Sequence, residues 1–269
     1  MSEFRLHWWR APNGPKNLGD EISPLVFRHV SGRLVRYAQI SECDGIAIGS
    51  VFNPRQASRR KRSHPQVIWG SGTLKRRPAR YDNLRVEIVA LRGPKTAGEI
   101  DGCPDIPFGD PGLFVREIWP TDSSGKVPIG IIPHFSMRNS DKVKTLASKL
   151  NGSIVVNLTD PDFSETFRQI ASCKLVISSS LHGLIFADAY GIPSLFWNEI
   201  GPENEWKYQD YFQGVGRVDY RAMSATEIIG VLDSGTVDEL PFSLLPEYKV
   251  RDTISELRRS LQRSSVMEL

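Results

Sequence analysis

An α/β fold built on parallel sheets is predicted by three observations. Short apolar runs of strand type alternate with amphipathic helical segments through most of the 269 residues. The alternation occurs twice, on either side of the polar stretch Trp119-Pro-Thr-Asp-Ser-Ser-Gly-Lys126, which has the composition of a linker. Several strand-to-helix turns combine glycine with charged or hydroxyl residues, as the ligand-binding turns of open parallel sheets do. Two αβα layered units facing a central cleft are therefore expected, residues 1–122 and 123–245, followed by a helix within 246–269 that packs on the body.

In the first unit the pattern places strands at 4–9, 33–37, 45–48, 66–69 and 85–91, with helices at 18–29 and 94–99. In the second, strands at 127–133, 153–158, 174–178 and 194–197 alternate with helices near 141–150, 165–172 and 181–190. Val143, Leu146, Ala147 and Leu150 fall at i, i+3, i+4 and i+7, one apolar helical face. Phe163, Phe167, Ile170 and Ala171 form another, with Ser164 placed as N-cap. Val250, Ile254, Leu257 and Leu261 give Glu247–Gln262 a single apolar face and make it the closing helix.

Composition narrows the class. With 40% hydrophobic and 24% charged residues the chain is globular, and no run approaches the 18 or so unbroken apolar residues of a membrane span. The first ten residues carry charges and a histidine where a secretion signal would place its apolar core, so a cytoplasmic location is expected. Cys43, Cys103 and Cys173 are odd in number and far apart, which argues against a disulfide framework and against structural zinc. Nine Lys and Arg residues and no acid lie between Arg55 and Arg80, leaving the rest of a chain of net charge +3 acidic. Such a block is either a solvated loop or a surface for anionic partners.

Three turns carry candidate chemistry. In Ser178-Ser-Ser-Leu-His-Gly183 a buried strand ends in serines and a helix opens at Leu181 and His182. Hydroxyls, an imidazole and free amides at a helix N-terminus make an anion site, and His182 is placed to move a proton; the alternative is a set of caps around a hydrogen-bonded histidine. In Leu91-Arg-Gly-Pro-Lys-Thr96 a strand delivers Arg92 just before a helix, where it grips either an anionic ligand or a surface acid. In Asn17-Leu-Gly-Asp-Glu21, Asp20 and Glu21 complement the helix dipole, or Asp20 orients or deprotonates a hydroxyl. His134 follows the 127–133 strand toward the expected cleft. Zinc-hydrolase, nucleophile-elbow and nucleotide P-loop signatures do not occur.

The order of these turns resembles the polysaccharide pyruvyl transferase family. The resemblance rests on those three segments together with Trp69-Gly-Ser-Gly-Thr73, Gly109-Asp-Pro-Gly-Leu113, Ile132-Pro-His-Phe135 and Trp206-Lys-Tyr-Gln-Asp-Tyr-Phe212, and covers roughly residues 5–235. The Pro133-His134 pair is similar to the exopolysaccharide-type branch, whose members are ketal pyruvyltransferases. It implies a GT-B-like pair of Rossmann-type domains that moves the enolpyruvyl unit of phosphoenolpyruvate onto a sugar as a cyclic ketal. On this basis 1–122 is the acceptor side and 123–245 the donor side. Arg92, Ser180, Leu181, His182 and Lys207 occupy positions expected to hold the donor. Where some members carry an arginine before the Leu-His pair, this chain has Ser180.

His182 is then the general acid or the group that balances phosphate charge, and Asn17, Asp20 and His134 face the acceptor, with Asp20 or His134 handling its hydroxyls. No metal and no cofactor beyond phosphoenolpyruvate as co-substrate is implied. The acceptor is a saccharide, free or lipid-linked; the basic block then faces an anionic membrane at its inner face, or a lipid pyrophosphate, rather than nucleic acid. Fold alone does not choose the donor, so a GT-B glycosyltransferase using a nucleotide sugar is the alternative, and a nucleic-acid binder using the basic block is a second.

Overall fold

The computed structural model describes residues 3–268 apart from 12–13, 15, 58–64, 122–125 and 200–204. The expected 122/123 boundary and the core of the basic block, Arg59, Arg60, Lys61 and Arg62, lie outside the described residues. The first half runs β1 (Phe4–His7), α1 (Leu18–Glu21), α2 (Ser23–Ser31), β2 (Val35–Tyr37), β3 (Gly45–Ile46), α3 (Pro54–Ala57), β4 (Gln66–Trp69), β5 (Ala79–Arg80), β6 (Val86–Ala90), α4 (Pro94–Ala97), β7 (Ile100–Asp101) and α5 (Val115–Ile118). The second runs β8 (Val127–Ile132), α6 (Asp141–Lys149), β9 (Ile154–Val155), α7 (Phe163–Ala171), β10 (Cys173–Ser178), α8 (Leu181–Tyr190), β11 (Ser194–Trp197), α9 (Trp206–Gly214), β12 (Ala222–Met223), α10 (Ala225–Ser234) and α11 (Glu247–Gln262).

The strands form two five-stranded parallel sheets, β2-β1-β3-β4-β6 and β12-β11-β10-β8-β9, with β5 and β7 in a small parallel pair. In each large sheet the second strand flanks the first on one side and the remaining three follow on the other. The two halves thus share one winding order, although no sequence repeat betrays it. The order reverses between β1 and β3 in one sheet and between β8 and β10 in the other. At such reversals neighbouring crossovers leave in opposite directions and open a crevice at the carboxyl ends of the strands.

One hydrophobic core joins the halves, running from Phe4, Leu6 and Phe27 through Leu113 and Phe114 to Phe167, Leu184 and Phe186. Helix α8 lies in its middle with all ten residues buried. That explains a sequence, Leu-His-Gly-Leu-Ile-Phe-Ala-Asp-Ala-Tyr, with almost no polar face. Its one buried carboxylate, Asp188, is matched by Arg217 at 2.8 Å and the Tyr211 hydroxyl at 2.9 Å. The closing helix α11 returns to the first half: the Trp69 indole donates to Leu257 O, and Arg33 reaches Val266 O beyond its end.

Several expected boundaries shift for local reasons. The 18–29 helix divides at Ile22, whose amide caps α1 before Pro24 starts α2. The N-cap of α7 is Asp162 rather than Ser164, its carboxylate accepting from Glu165 N at 2.9 Å. The 153–158 strand shrinks to Ile154–Val155, an edge strand with half its residues facing water. Helix α10, closed by a Ser224/Glu227 capping box, was not anticipated.

Candidate functional site

The two strand-order reversals meet at one pocket of about 310 Å³. Trp9, Asn17 and Asp20 reach it from the segment after β1; Gly49, Ser50 and Val51 from that after β3; Leu74 from that after β4. From the second half come His134 and Phe135 after β8, Ser180, Leu181 and His182 after β10, and Lys207 in the first turn of α9. Of the residues singled out from the sequence, Asn17, Asp20, His134, Ser180, Leu181, His182 and Lys207 share this wall, whereas Arg92 does not.

The serine turn is a brace. Ser178 Oγ donates to Ile132 O and accepts from Ser180 N, fixing the exit of β10 against β8. Ser179 Oγ accepts from the His134 amide at 2.9 Å, and Ser179 O accepts from the Tyr208 hydroxyl at 2.8 Å, so the histidine turn and α9 are tied to the same point. Ser180 is the N-cap of α8, but its hydroxyl makes no capping bond. The first-turn amides have no intrahelical acceptor, and groups of this kind attract anions.

Across from this turn, Asn17 Nδ2 donates to Asp20 Oδ2 at 2.7 Å and holds the carboxylate beside Gly49. The Leu18 amide donates to Leu158 O, joining α1 to the second half. Gly19 lies against the imidazole: a methyl there would stand 1.9 Å from His182 Nδ1. The ring is held on that edge and lies face to face with Phe186, centroids 5.8 Å apart. His182 Nε2 is buried with no hydrogen-bond partner among the described residues.

Arg92 is engaged by groups of the chain itself. Fully buried behind the wall, it donates through Nε to Asp210 Oδ2 at 3.0 Å, through one terminal nitrogen to Ser50 Oγ at 2.6 Å, and through the other to Thr73 O at 2.8 Å. Asp210 also accepts from Thr96 N at 2.9 Å and Thr96 Oγ1 at 2.7 Å. Gly93 permits this approach, since a methyl there would come within 1.7 Å of Asp210 O. The Leu-Arg-Gly-Pro-Lys-Thr turn and helix α9 are therefore the two halves of a buried latch. It presents Ser50 from one side and Lys207, three residues before Asp210, from the other.

The pocket's ionisation is unusual. Burial drives His182 down to about 3, with Lys207, Arg92 and His134 adding repulsion. Burial and Lys207 bring His134 down to about 4. Lys207 falls to about 8 through burial and the Arg92 charge, opposed by Asp20. Asp20 rises to about 7 because it is buried, although Asn17 and Lys207 favour its ionised form. Both imidazoles are therefore uncharged at neutral pH. His134 Nδ1 is engaged by Ser136, whose Oγ lies at 2.8 Å and whose amide lies at 3.4 Å, which leaves Nε2 as the ring nitrogen open to another partner.

Other segments have structural employment. Gly70 and Gly109 both have positive φ, 76° and 150°, and a methyl at Gly70 would stand 2.2 Å from Pro111. Asp110 caps the 3₁₀ turn Pro111–Phe114 through Gly112 N. Asp160-Pro-Asp162 has the spacing of a DxD metal motif, yet Asp162 is occupied in capping α7 and Asp160 accepts from Asp162 N. Among the described residues no cluster of three or more His, Cys, Asp or Glu side chains is placed to hold a metal, and no helix is long and apolar enough to cross a membrane. Sequence reasoning missed Trp9, Gly49–Val51, Leu74 and Phe135 as site residues; the Gly-Ser pair just after the β3 run was the available signal for the second of these.

Comparison with known proteins places this geometry in context. Residues 4–197 match the family model described as polysaccharide pyruvyl transferase. The succinoglycan biosynthesis protein ExoV of Rhizobium meliloti (strain 1021) is 26% identical over 228 residues, covering 81% of this chain and 66% of that protein. A protein of Acanthamoeba polyphaga mimivirus, "Uncharacterized protein L143", is 30% identical over 171 residues, covering 58% of this chain and 57% of the viral one. The chain thus spans just under two thirds of the first relative's length and little more than half of the second's. The matched family span ends at Trp197, before Lys207 and the Asp210 half of the latch.

Proposed function

The chain belongs to the polysaccharide pyruvyl transferase family, and on that premise we propose that it transfers the enolpyruvyl unit of phosphoenolpyruvate to a saccharide as a cyclic ketal. The observation that carries the reading is the buried, unpartnered His182 Nε2 beside Lys207 and the open N-terminus of α8 in one small pocket. About 310 Å³ lies at the lower end of the 300–1,000 Å³ range of ligand sites and suits a compact, multiply charged donor better than a nucleotide sugar.

In this reading the donor's phosphate lies on the α8 amides and Lys207, and its charge raises His182 until the ring is protonated. His182 delivers that proton to the methylene carbon, which becomes the methyl group. One acceptor hydroxyl, deprotonated by Asp20, adds to the adjacent carbon. The carbon–oxygen bond to phosphate breaks, the second hydroxyl adds in its place, and the two hydroxyl protons are accounted for by the new methyl group and by hydrogen phosphate. Arg92 acts through Ser50 and α9 rather than on the donor, and no metal or cofactor takes part. We assign residues 1–122 to the acceptor side and 123–245 to the donor side of a GT-B-like pair. A cytoplasmic site of action, with a lipid-linked acceptor at the inner membrane face, would give the basic block from Arg55 to Arg80 its use.

The ionisation states set the pH profile. Asp20 works as a carboxylate, present above about 7, and Lys207 as an ammonium, present below about 8. The kcat/KM for phosphoenolpyruvate is expected to stay level up to about 7, where the proton that His182 gains balances the one that Asp20 gives up, to fall above about 7 and to fall more steeply above about 8. Asp20→Asn should erase the break near 7 and Lys207→Gln the steeper fall above 8. Because the anion raises Lys207, binding at pH 8 should take up protons, which calorimetry in buffers of different ionisation enthalpy detects; proton release would contradict the placement. Thermal-shift screening tests the donor directly. Stabilisation by phosphoenolpyruvate is expected, and stabilisation by a nucleotide sugar alone would favour a glycosyltransferase.

A further inference from the structure

Strand alternation sends Trp8 into the core and Trp9 outward at the end of β1. The backbone there is anchored: the Arg10 guanidinium lies over the Trp8 and Tyr37 rings at 4.5 and 4.2 Å and pairs with Glu21 at 3.5 Å. Trp9 nevertheless stays 36% exposed, and Leu74, elsewhere on the same pocket wall, is 59% exposed. Exposed apolar surface gathered at a pocket mouth marks a contact surface. Trp9 meets Phe135 from the opposite half, centroids 5.8 Å apart and planes inclined at 36°, and Phe135 in turn lies 4.4 Å from the His134 ring.

We infer that Trp9 and Phe135 form the acceptor subsite, a corner on which the C–H face of a hexopyranose stacks while His134 Nε2 hydrogen-bonds to one of its hydroxyls. This deepens the functional reading above and rests on it for the donor end. The pocket is divided in character: its floor carries Lys207, His182 and the α8 amides, and its rim carries the two rings. The rings touch each other and leave no slot for a flat base to enter between them. A puckered sugar face, apolar on its axial side and ringed by hydroxyls, covers both members of an inclined pair. Trp and Tyr type rings suit such a ligand because they offer rigid apolar area at low entropic cost.

Binding is to be measured without turnover, by saturation-transfer NMR and tryptophan fluorescence titration. The probes are oligosaccharides ending in glucose, galactose or mannose, and uridine diphosphate serves as a competitor. At least one oligosaccharide should bind, with transfer strongest to the ring C–H protons of its terminal hexopyranose. Trp9→Ala should weaken it about tenfold, the scale of a lost aromatic contact, and Trp9→Phe should restore most of that. The thermal shift produced by phosphoenolpyruvate should be unchanged in both variants. Failure of every oligosaccharide to bind, equal binding by Trp9→Ala, or displacement by uridine diphosphate would overturn the subsite. Sugar binding lost in Trp9→Ala in a protein that ignores phosphoenolpyruvate would instead leave the subsite standing and remove the donor assignment.

Discussion

Replacing His182 with glutamine is expected to lower phosphoenolpyruvate-dependent phosphate release by about 10²–10⁴-fold, the usual contribution of a positioned acid–base group. Glutamine preserves volume and a hydrogen-bond donor but cannot carry a transferable proton. The fold should survive, because the imidazole makes no hydrogen bond through Nε2 to any described residue and its ring lies against Phe186 and Gly19. Gly19→Ala offers an independent route to the same atom. The new methyl would fall 1.9 Å from Nδ1, so the ring must leave its place although its chemistry is untouched. His182→Gln should lose activity with a near-normal unfolding temperature, whereas Gly19→Ala should lose activity and about 1–3 kcal/mol of stability, the usual cost of overpacking a buried contact. Full phosphate release by His182→Gln would remove the residue from the reaction.

The second large effect is expected on stability. Arg92 and Asp210 have no exposed surface, and Asp210→Ala would leave a buried guanidinium with only Ser50 and Thr73 for company. Removing one partner of a buried pair costs about 3–5 kcal/mol, a large fraction of a typical domain's stability. Urea denaturation should show the midpoint falling accordingly. Replacing both residues with apolar side chains of similar size, Arg92→Met with Asp210→Leu, should recover part of the loss, since the desolvation cost disappears with the charges while Thr96 N and Thr73 O lose their buried partners. Donor affinity should not recover, because Ser50 and Lys207 are no longer held by the latch. Recovery of both together would mean that the pair serves stability alone.

Much of the architecture was legible because the signals are local. Strand-to-helix turns rich in glycine, serine and charge mark the carboxyl ends of parallel strands, where ligands bind, so Asn17, Asp20, His134, Ser180, Leu181 and His182 could be singled out before any fold was known, whereas Lys207 was named only through the family resemblance. What was not legible is non-local. Arg92 reads as a ligand clamp until its partner is found 118 residues away, and no spacing rule connects those positions. Trp9 and Phe135 come from different halves and look like ordinary strand-end aromatics until their rings are seen at 5.8 Å. The shared winding order of the two sheets is likewise a property of pairing, carried by burial patterns rather than by matching residues. Ser164 and Asp162 compete for one cap two residues apart, and only backbone geometry decides in favour of the carboxylate.

The most direct test of the central claim is incubation of the protein with phosphoenolpyruvate and a panel of free and lipid-linked oligosaccharides, followed by mass spectrometry and phosphate assay of the same reactions. One acceptor should gain the mass of pyruvate less water, with one equivalent of inorganic phosphate released, and both signals should vanish in His182→Gln. A nucleotide sugar transferred to the same panel while phosphoenolpyruvate stays intact would contradict it.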